Sequence, residues 1–195
     1  LLGIYICIQS SWWIAVIGLI CMAAAYFYTG GPFPIAYTPF GELVAGFFMG
    51  VVIIGITYYI QVGSIPTKVY LLSLPTSITI GAILTANNIR DLDNDKENGR
   101  KTLVILLGKK NSIIFIGSMF AAAYALIIAF VMTNLMTPFV LISLASIPLA
   151  VKATKGFIGK TEPIEMMPAM AATAKTNTIM GFLIVIGLII GNIFS

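Results

Sequence analysis

The sequence predicts an all-α fold, a polytopic transmembrane helical bundle, and three observations lead to this prediction. Of 195 residues, 59% are hydrophobic and 9% are charged, whereas about a quarter of the residues in soluble proteins are charged. The mean hydropathy is +1.02. Apolar segments approaching membrane-spanning length recur along the chain, and the charged residues lie between them. We expect one membrane domain over residues 1–195, with about six spans and an N-terminal stub.

The apolar segments define the expected elements in order. Residues 1–8 form the stub, which is too short for the ~20 residues that cross a bilayer. The spans are expected at residues 14–28, 43–60, 68–88, 111–132, 139–151 and 176–194.

The connections between these spans differ in character. Residues 26–42, YFYTGGPFPIAYTPFGE, contain three prolines and three glycines, which excludes a regular helix. Residues 103–110 are expected to be a short connector and residues 152–175 a polar, partly amphipathic connection. The turns at residues 61–67 and 133–138 are short and nearly uncharged.

The distribution of charge predicts the orientation. If successive spans alternate in direction, residues 28–42, 88–110 and 152–175 share one side of the membrane, and they contain every charged residue except Lys68. The positive-inside rule makes that side cytoplasmic. We therefore expect a multi-pass protein of the cell membrane with its functional loops in the cytoplasm and lipid around its spans.

Composition also excludes several classes of function. The net charge of +4 comes from basic residues interleaved with acidic ones in loops, which membrane topology explains better than nucleic-acid binding. The absence of histidine excludes chemistry based on imidazole. Cys7 and Cys21 lie in apolar segments, as buried small hydrophobic residues do.

The most informative stretch is ANNIRDLDNDKENGRKT, residues 86–102, which holds four of the seven acidic and four of the eleven basic residues. Carboxylates near hydrocarbon cost about 2.5–3.5 kcal/mol each. Asp91 and Asp95 are four residues apart and share a helix face, where two carboxylates repel unless a cation separates them. Mg²⁺ prefers oxygen ligands and bridges to phosphates, so these aspartates are candidate Mg²⁺ ligands. The neighbouring cations are suited to a diphosphate: Arg90, Lys96, Arg100 and Lys101.

Two other interpretations apply to this stretch. DLDNDKENGRKT begins like an EF-hand loop, but Lys96 stands where Gly is needed and Thr102 where Glu is needed. A solvated charge run at a helix end is the commonest role of such a cluster. The two other long loops expected on the same side favour a binding site.

The motif, together with the upstream YTGGPFPIAYTPFGE, resembles the intramembrane prenyltransferases of the UbiA superfamily. NNIRDLDNDKENGRKT is similar to the second aspartate-rich motif of that family, DxxxD followed by a basic turn. The amino-acid sequences of both segments are most similar to those of the branch that acts on 1,4-dihydroxy-2-naphthoate in menaquinone biosynthesis. The resemblance runs from the tyrosine-rich loop at residues 26–42 to the C-terminus.

The resemblance implies a helical bundle around a cavity and a Mg²⁺-dependent reaction. A polyprenyl diphosphate ionises, an aromatic ring attacks the allylic cation, and in the naphthoate branch the ring carboxylate leaves as CO₂ to give demethylmenaquinone. Asp91 and Asp95 match the catalytic, metal-binding aspartates. Arg100 and Lys101 match the basic turn.

The family's first motif, N-x-x-x-D-x-x-x-D, has no counterpart, since no acidic residue precedes Glu42. The opening LLGIYICIQ lacks an initiator methionine and a charged leader. We expect this chain to be the C-terminal portion of a longer protein, and to be inactive alone because half of the metal site is missing.

Other residues are weaker candidates. Tyr28 and Tyr37 border the irregular loop, where a tyrosine ring could stabilise a carbocation, although tyrosines are also ordinary at a membrane interface. Asn88 could orient the aspartates or supply a ligand. Glu42 could cap its helix or bind substrate.

Two alternative functions remain open. One is prenyl transfer to another aromatic acceptor, such as 4-hydroxybenzoate, haem or homogentisate. The other is a small cation-coupled transporter, which should carry ionisable groups or broken helices near the bilayer midplane. The charged residues here lie at the ends of the predicted spans, which favours the enzyme.

Overall fold

The computed structural model describes residues 1–194, which form a helical bundle. Two short N-terminal helices lead into an irregular loop, and longer helices follow. The helices are α1 (Leu2–Gln9), α2 (Trp13–Thr29), α3 (Gly41–Gly46), α4 (Ile53–Val62), α5 (Thr67–Leu72), α6 (Leu74–Arg90), α7 (Leu92–Glu97), α8 (Leu103–Met132), α9 (Ile147–Lys155) and α10 (Pro163–Phe194). A π-helical segment, Phe47–Val52, joins α3 to α4, and 3₁₀ segments occur at Ile35–Tyr37 and Pro138–Ser146.

Within residues 1–194, five segments are long and apolar enough to cross a membrane: Gly41–Val62, Thr67–Arg90, Leu103–Met132, Pro138–Lys155 and Pro163–Phe194. Helix α2 is also apolar but has only 17 residues. The eight-residue α1 corresponds to the expected stub. The predicted polytopic helical bundle, with about six apolar segments and a stub, is confirmed.

The predicted connector at residues 103–110 was wrong, because this segment is largely helical. The Thr102 hydroxyl accepts a hydrogen bond from the Ile105 amide (3.4 Å) and so caps the first turn of α8. The helix is interrupted at Gly108, whose φ of 71° is accessible mainly to glycine. Helical structure then resumes and continues to Met132.

The predicted connection at residues 152–175 is also mostly helical, with only a short non-helical stretch at residues 156–162. At 1.5 Å per residue, the 32 residues of α10 extend about 48 Å. This exceeds the ~30 Å hydrocarbon core, so about a dozen residues project beyond it. The polar composition of residues 163–175 therefore did not mark the end of the helix.

The segment Pro138–Lys155 corresponds to the span expected at residues 139–151. Its first nine residues are a 3₁₀ helix, which rises about 2.0 Å per residue, and its last nine are α-helical. The two parts together reach about 31 Å, which matches the bilayer core. The tighter helix therefore lengthens this segment enough to cross.

Helix α6 lies at the centre of the bundle and packs against α3, α8 and α10. Glycines permit the close crossing with the α3–π segment, since a Cβ on Gly46 would lie 2.7 Å from the Ser77 carbonyl oxygen. On the other side of α6, the core contains Ile89, Phe120 and Met180.

Long-range contacts gather three connections at one end of the bundle. Asn88 contacts Glu42, Arg90 contacts Met167, and the backbone of Lys101 bonds to Tyr37. The end of α6 therefore lies beside the starts of α3 and α10. This agrees with the predicted grouping of the charged connections.

Candidate active site

The charged cluster occupies a break between two helices. Helix α6 ends at Arg90, Asp91 has φ −94° and ψ 7°, and α7 begins at Leu92. The Asp95 amide nevertheless donates to the Asp91 carbonyl oxygen (2.8 Å), so the two residues remain one helical turn apart. Gly99, at φ 71°, then reverses the chain toward α8.

Asp91 is held by its neighbour Arg90. Nε and Nη2 of Arg90 each lie 2.6 Å from a different oxygen of the Asp91 carboxylate. The two side chains are 27% and 35% exposed, so solvent screens this bidentate pair and weakens it. A competing ligand could therefore displace either group at modest cost.

Asp95 lies in a more buried position. Its side chain is 5% exposed, and its Oδ1 lies 3.1 Å from Nη1 of Arg100. Burial raises the pKa of the Asp95 carboxyl above its ordinary value, while the Arg100 charge opposes this rise and Asp91 adds to it. Oδ2 of Asp95 and Nε of Arg100 have no hydrogen-bond partner in the described part of the chain.

The tyrosine-rich loop covers this pair. The Arg100 guanidinium carbon lies 4.7 Å from the centroid of the Tyr37 ring, a cation–π contact. The Lys101 amide donates to the Tyr37 carbonyl oxygen (2.9 Å). The structure thus brings together the two segments on which the sequence prediction of one site depended.

The predicted diphosphate cations have different surroundings. Arg90 and Arg100 are paired with the aspartates, whereas Lys101 is exposed. The ion pairs of residues 1–194 do not include Lys101. Arg90 also places Nη1 3.8 Å from the sulfur of Met167, which connects the start of α10 to the site.

Asn88 contacts Glu42 in place of the aspartates. Its Nδ2 donates to Oε1 of Glu42 (2.8 Å). Glu42 is 5% exposed, and its Oε2 has no partner in the described residues. Sequence reasoning missed this contact, because its members are 46 positions apart and nothing in either segment identifies the other as its partner.

A cavity of about 730 Å³ lies between α2, the α3–π–α4 segment, α6 and α10. Its walls are mainly aliphatic and aromatic, and Tyr28, Asn87 and Asn177 contribute polar side chains. On α6 the lining residues are Ile80, Ile83, Leu84 and Asn87. Asp91 comes four residues after Asn87, so helical spacing places it on the same side of α6 as these residues, just beyond the cavity lining.

The donor set is suited to part of a divalent-cation site. Among the described residues there is no group of three or more His, Cys, Asp or Glu side chains that could hold a metal ion. Mg²⁺ needs only one or two protein carboxylates when waters and phosphate oxygens complete its octahedron. The buried, unpartnered Oδ2 of Asp95 is an available ligand atom, so the residues present fit Mg²⁺ bound together with a diphosphate.

Comparisons with known proteins agree with these features. The model of the UbiA prenyltransferase family matches residues 1–170. The 1,4-dihydroxy-2-naphthoate octaprenyltransferase of Bacillus subtilis is 49% identical over 190 residues, covering 97% of this chain and 61% of that protein. The protein of the same name from Mycobacterium tuberculosis is 32% identical over 177 residues, covering 89% of this chain and 58% of that protein.

A human relative, UbiA prenyltransferase domain-containing protein 1, is 30% identical over 169 residues, covering 87% of this chain and 48% of that protein. The chain thus spans roughly half to three fifths of the length of these relatives. No solved structure matches it. The predicted resemblance is confirmed: the chain belongs to the UbiA prenyltransferase family.

Proposed function

We propose that this protein transfers a polyprenyl group from a polyprenyl diphosphate to 1,4-dihydroxy-2-naphthoate, with loss of CO₂, to form demethylmenaquinone. The observation that carries the proposal is the position of the Asp91–Asp95 motif at the end of an α6 face that lines a large apolar cavity. A charged end beside an apolar cavity suits a substrate with a diphosphate head and a hydrocarbon tail. The names of the bacterial relatives supply the acceptor.

Arg90, Arg100 and Lys101 would bind the diphosphate. Guanidinium groups form bidentate hydrogen bonds with phosphate oxygens, which makes arginine well suited to this contact. Lys101 is exposed beside the pair formed by Asp95 and Arg100 and adds a point charge. When the diphosphate binds, the two arginines would move part of their contacts from the carboxylates to the phosphate oxygens.

Asp91 and Asp95 would hold Mg²⁺, whose charge would stabilise the departing diphosphate. The unpartnered Oδ2 of Asp95 supports this role. The bidentate contact of Arg90 with Asp91 would have to open for Asp91 to take part. Its partial exposure makes that exchange inexpensive.

The cavity would hold the reacting carbons away from water. The bond between the prenyl C1 and the diphosphate oxygen breaks, and a bond forms between C1 and the ring carbon that carries the carboxylate. The carboxylate leaves as CO₂ and its bonding electrons return to the ring, so charge and atoms balance. The Tyr28 side chain lines the cavity, where its ring could stabilise the allylic cation by about 2 kcal/mol in a desolvated setting.

The site would face the cytoplasm of a cell in whose membrane the protein lies. The connections that meet at this end contain most of the lysines and arginines, and the positive-inside rule assigns such loops to the cytoplasm. Polyprenyl diphosphate would enter with its tail in the lipid and its head at the interface.

The test is a transfer assay with the complete protein in membrane vesicles, using labelled polyprenyl diphosphate with and without Mg²⁺. Wild type is expected to prenylate 1,4-dihydroxy-2-naphthoate and release CO₂. Asp91→Asn and Asp95→Asn should each lower kcat/KM by about 10²–10³-fold, the loss typical when an electrostatic stabiliser is removed. Asp93→Asn is the matched control, because Asp93 is exposed in the same turn.

Two results would contradict the proposal. One is normal transfer by the Asp95→Asn protein. The other is a wild type that leaves dihydroxynaphthoate unchanged while it prenylates 4-hydroxybenzoate or homogentisate, which would retain the enzyme class and replace the acceptor.

A further inference from the structure

Asn177 places an amide in the wall of the apolar cavity. It lies on α10, fourteen positions after the first residue of that helix, and lines the cavity. Its Oδ1 lies 2.6 Å from the hydroxyl of Thr79 on α6, whose single proton is shared between this oxygen and the Thr76 carbonyl oxygen (3.0 Å). This polar contact between helices lies far from the charged end of the bundle.

The other polar residues nearby on α10 are satisfied within their own helix. The hydroxyls of Thr173, Thr176 and Thr178 donate to the carbonyl oxygens four residues earlier, at 3.0, 2.8 and 3.1 Å. Asn177 differs, because the contact with Thr79 uses only one of its hydrogen-bonding positions. Its NH₂ group makes no hydrogen bond to an acceptor within residues 1–194, and the side chain is half-buried.

An unpaired amide in an apolar environment carries a free-energy cost that a bound oxygen would remove. If the residue served only to pack α10 against α6, a hydroxyl or an apolar side chain would meet that need without leaving N–H groups unpaired. The position of Asn177 in a cavity wall therefore favours a hydrogen bond from its NH₂ group to an oxygen of a bound ligand. A polyprenyl tail has no such atom.

The spacing of polar groups along the cavity indicates the kind of ligand. Asn87, which also lines the cavity, lies eight residues after Thr79 on α6, or about 12 Å along the helix. If an aromatic ring carries two oxygens at para positions and each oxygen is hydrogen-bonded to the protein, the two protein groups are a similar distance apart. In an aromatic acid of this kind, the carboxylate would be attracted toward Arg90 and Arg100. The ring oxygen farther from the carboxylate, here called the distal oxygen, would then point away from the charged end and toward Asn177.

We propose that Asn177, oriented by Thr79, is a specificity-determining residue that binds the distal oxygen of a 1,4-dihydroxylated aromatic acceptor. This inference rests on the proposed function, since it assumes an aromatic acid in the cavity. Thr79 is a positioning residue, which fixes the amide through its hydroxyl. This hydrogen bond determines which class of prenyl acceptor fits, because a ring without the distal oxygen leaves the Asn177 amide without a partner.

The experiment measures binding of two fluorescent acids to the complete protein in detergent or nanodiscs: 1,4-dihydroxy-2-naphthoate and 1-hydroxy-2-naphthoate, which lacks the 4-hydroxyl. Wild type should bind the dihydroxy acid about three- to tenfold more tightly, as expected for one neutral hydrogen bond. Asn177→Leu should bind both acids equally, with affinity for the monohydroxy acid retained. Thr79→Val, which keeps the amide, should lose part of the preference and provides a second variant if Asn177→Leu does not fold.

Thr178→Val is the control, since Thr178 is exposed on the same helix and bonds only to Ala174. In the transfer assay, KM for the acceptor should rise in Asn177→Leu, while KM for the polyprenyl diphosphate stays at the wild-type value. The inference is overturned if Asn177→Leu keeps the wild-type preference, or if it weakens binding of both acids equally. A wild type that binds with the expected preference but transfers no prenyl group would count against the proposed function alone.

Discussion

At the scale of single residues, the candidate site consists of pairs of oppositely charged side chains. Asp91 pairs with Arg90 and Asp95 with Arg100, so the groups assigned to the cation and those assigned to the diphosphate neutralise each other within the protein. Binding either ligand alone would leave one partner of each pair without a counter-charge. Binding both together would satisfy all four side chains.

The sequence identified Asp91 and Asp95 as candidates but did not predict their contacts. The i, i+4 spacing of Asp91 and Asp95 depends only on helix geometry, and that register survives the break in the helix. The contact of Asn88 with Glu42 depends on how α3 crosses α6. Such a contact cannot be predicted from local patterns, because nothing in either segment identifies its partner.

The hydrogen bond between the half-buried Asn88 and the buried Glu42 yields a stability prediction. Glu42→Ala should lower the free energy of unfolding by about 1–3 kcal/mol, since it leaves the Asn88 amide without its acceptor. Glu42→Gln keeps a carbonyl oxygen for Asn88 and should cost less. Unfolding in mixed SDS micelles measures both variants, and equal losses for Ala and Gln would show that the hydrogen bond contributes nothing.

At the scale of elements, close helix contacts depend on positions without a Cβ. On α10, a Cβ added to Gly187 would lie 2.6 Å from Cα of Val140 and 2.7 Å from the Phe139 carbonyl oxygen. Both are backbone atoms of the 3₁₀ segment, which cannot move as a side chain can. The end of α10 therefore packs directly on that segment.

Gly187→Ala should destabilise the protein by about 1–3 kcal/mol through overpacking. Gly181→Ala, on the same helix, is the matched control, because its Cβ would meet nothing within 4 Å. Alanine there should be neutral or stabilise the helix by up to about 1 kcal/mol. Thermal unfolding of the two variants in the same detergent provides the comparison, and a Gly187→Ala protein as stable as Gly181→Ala would refute the assigned packing.

Some helix boundaries could not be predicted from the pattern of polar and apolar residues. Polarity predicted a connection up to residue 175, yet α10 already begins at Pro163, about three turns earlier, because backbone hydrogen bonding does not require a membrane. The 3₁₀ geometry of Pro138–Ser146 was likewise not predicted.

At the scale of the whole molecule, three connections that are distant in sequence meet at one end of a membrane bundle. Alternating spans and the distribution of charge predicted this arrangement, and the contacts of Arg90 with Met167 and of Lys101 with Tyr37 agree with it. The cavity, in contrast, depends on packing among four elements, which the spacing of aromatic residues in the sequence did not predict. The functional account combines the two, a charged end and an apolar cavity that share α6.

The most direct test of this account is equilibrium binding of a non-reactive thiolodiphosphate analogue of the prenyl donor to the complete protein, with Mg²⁺ varied. Since Asp91 and Asp95 are paired with arginines, Mg²⁺ and the analogue should each strengthen binding of the other by the same factor. Asp95→Asn should abolish that coupling, while Asp93→Asn should retain it. Binding of the analogue that is independent of Mg²⁺, or coupling that survives in Asp95→Asn, would contradict the assignment of this end of the bundle as the Mg²⁺–diphosphate site.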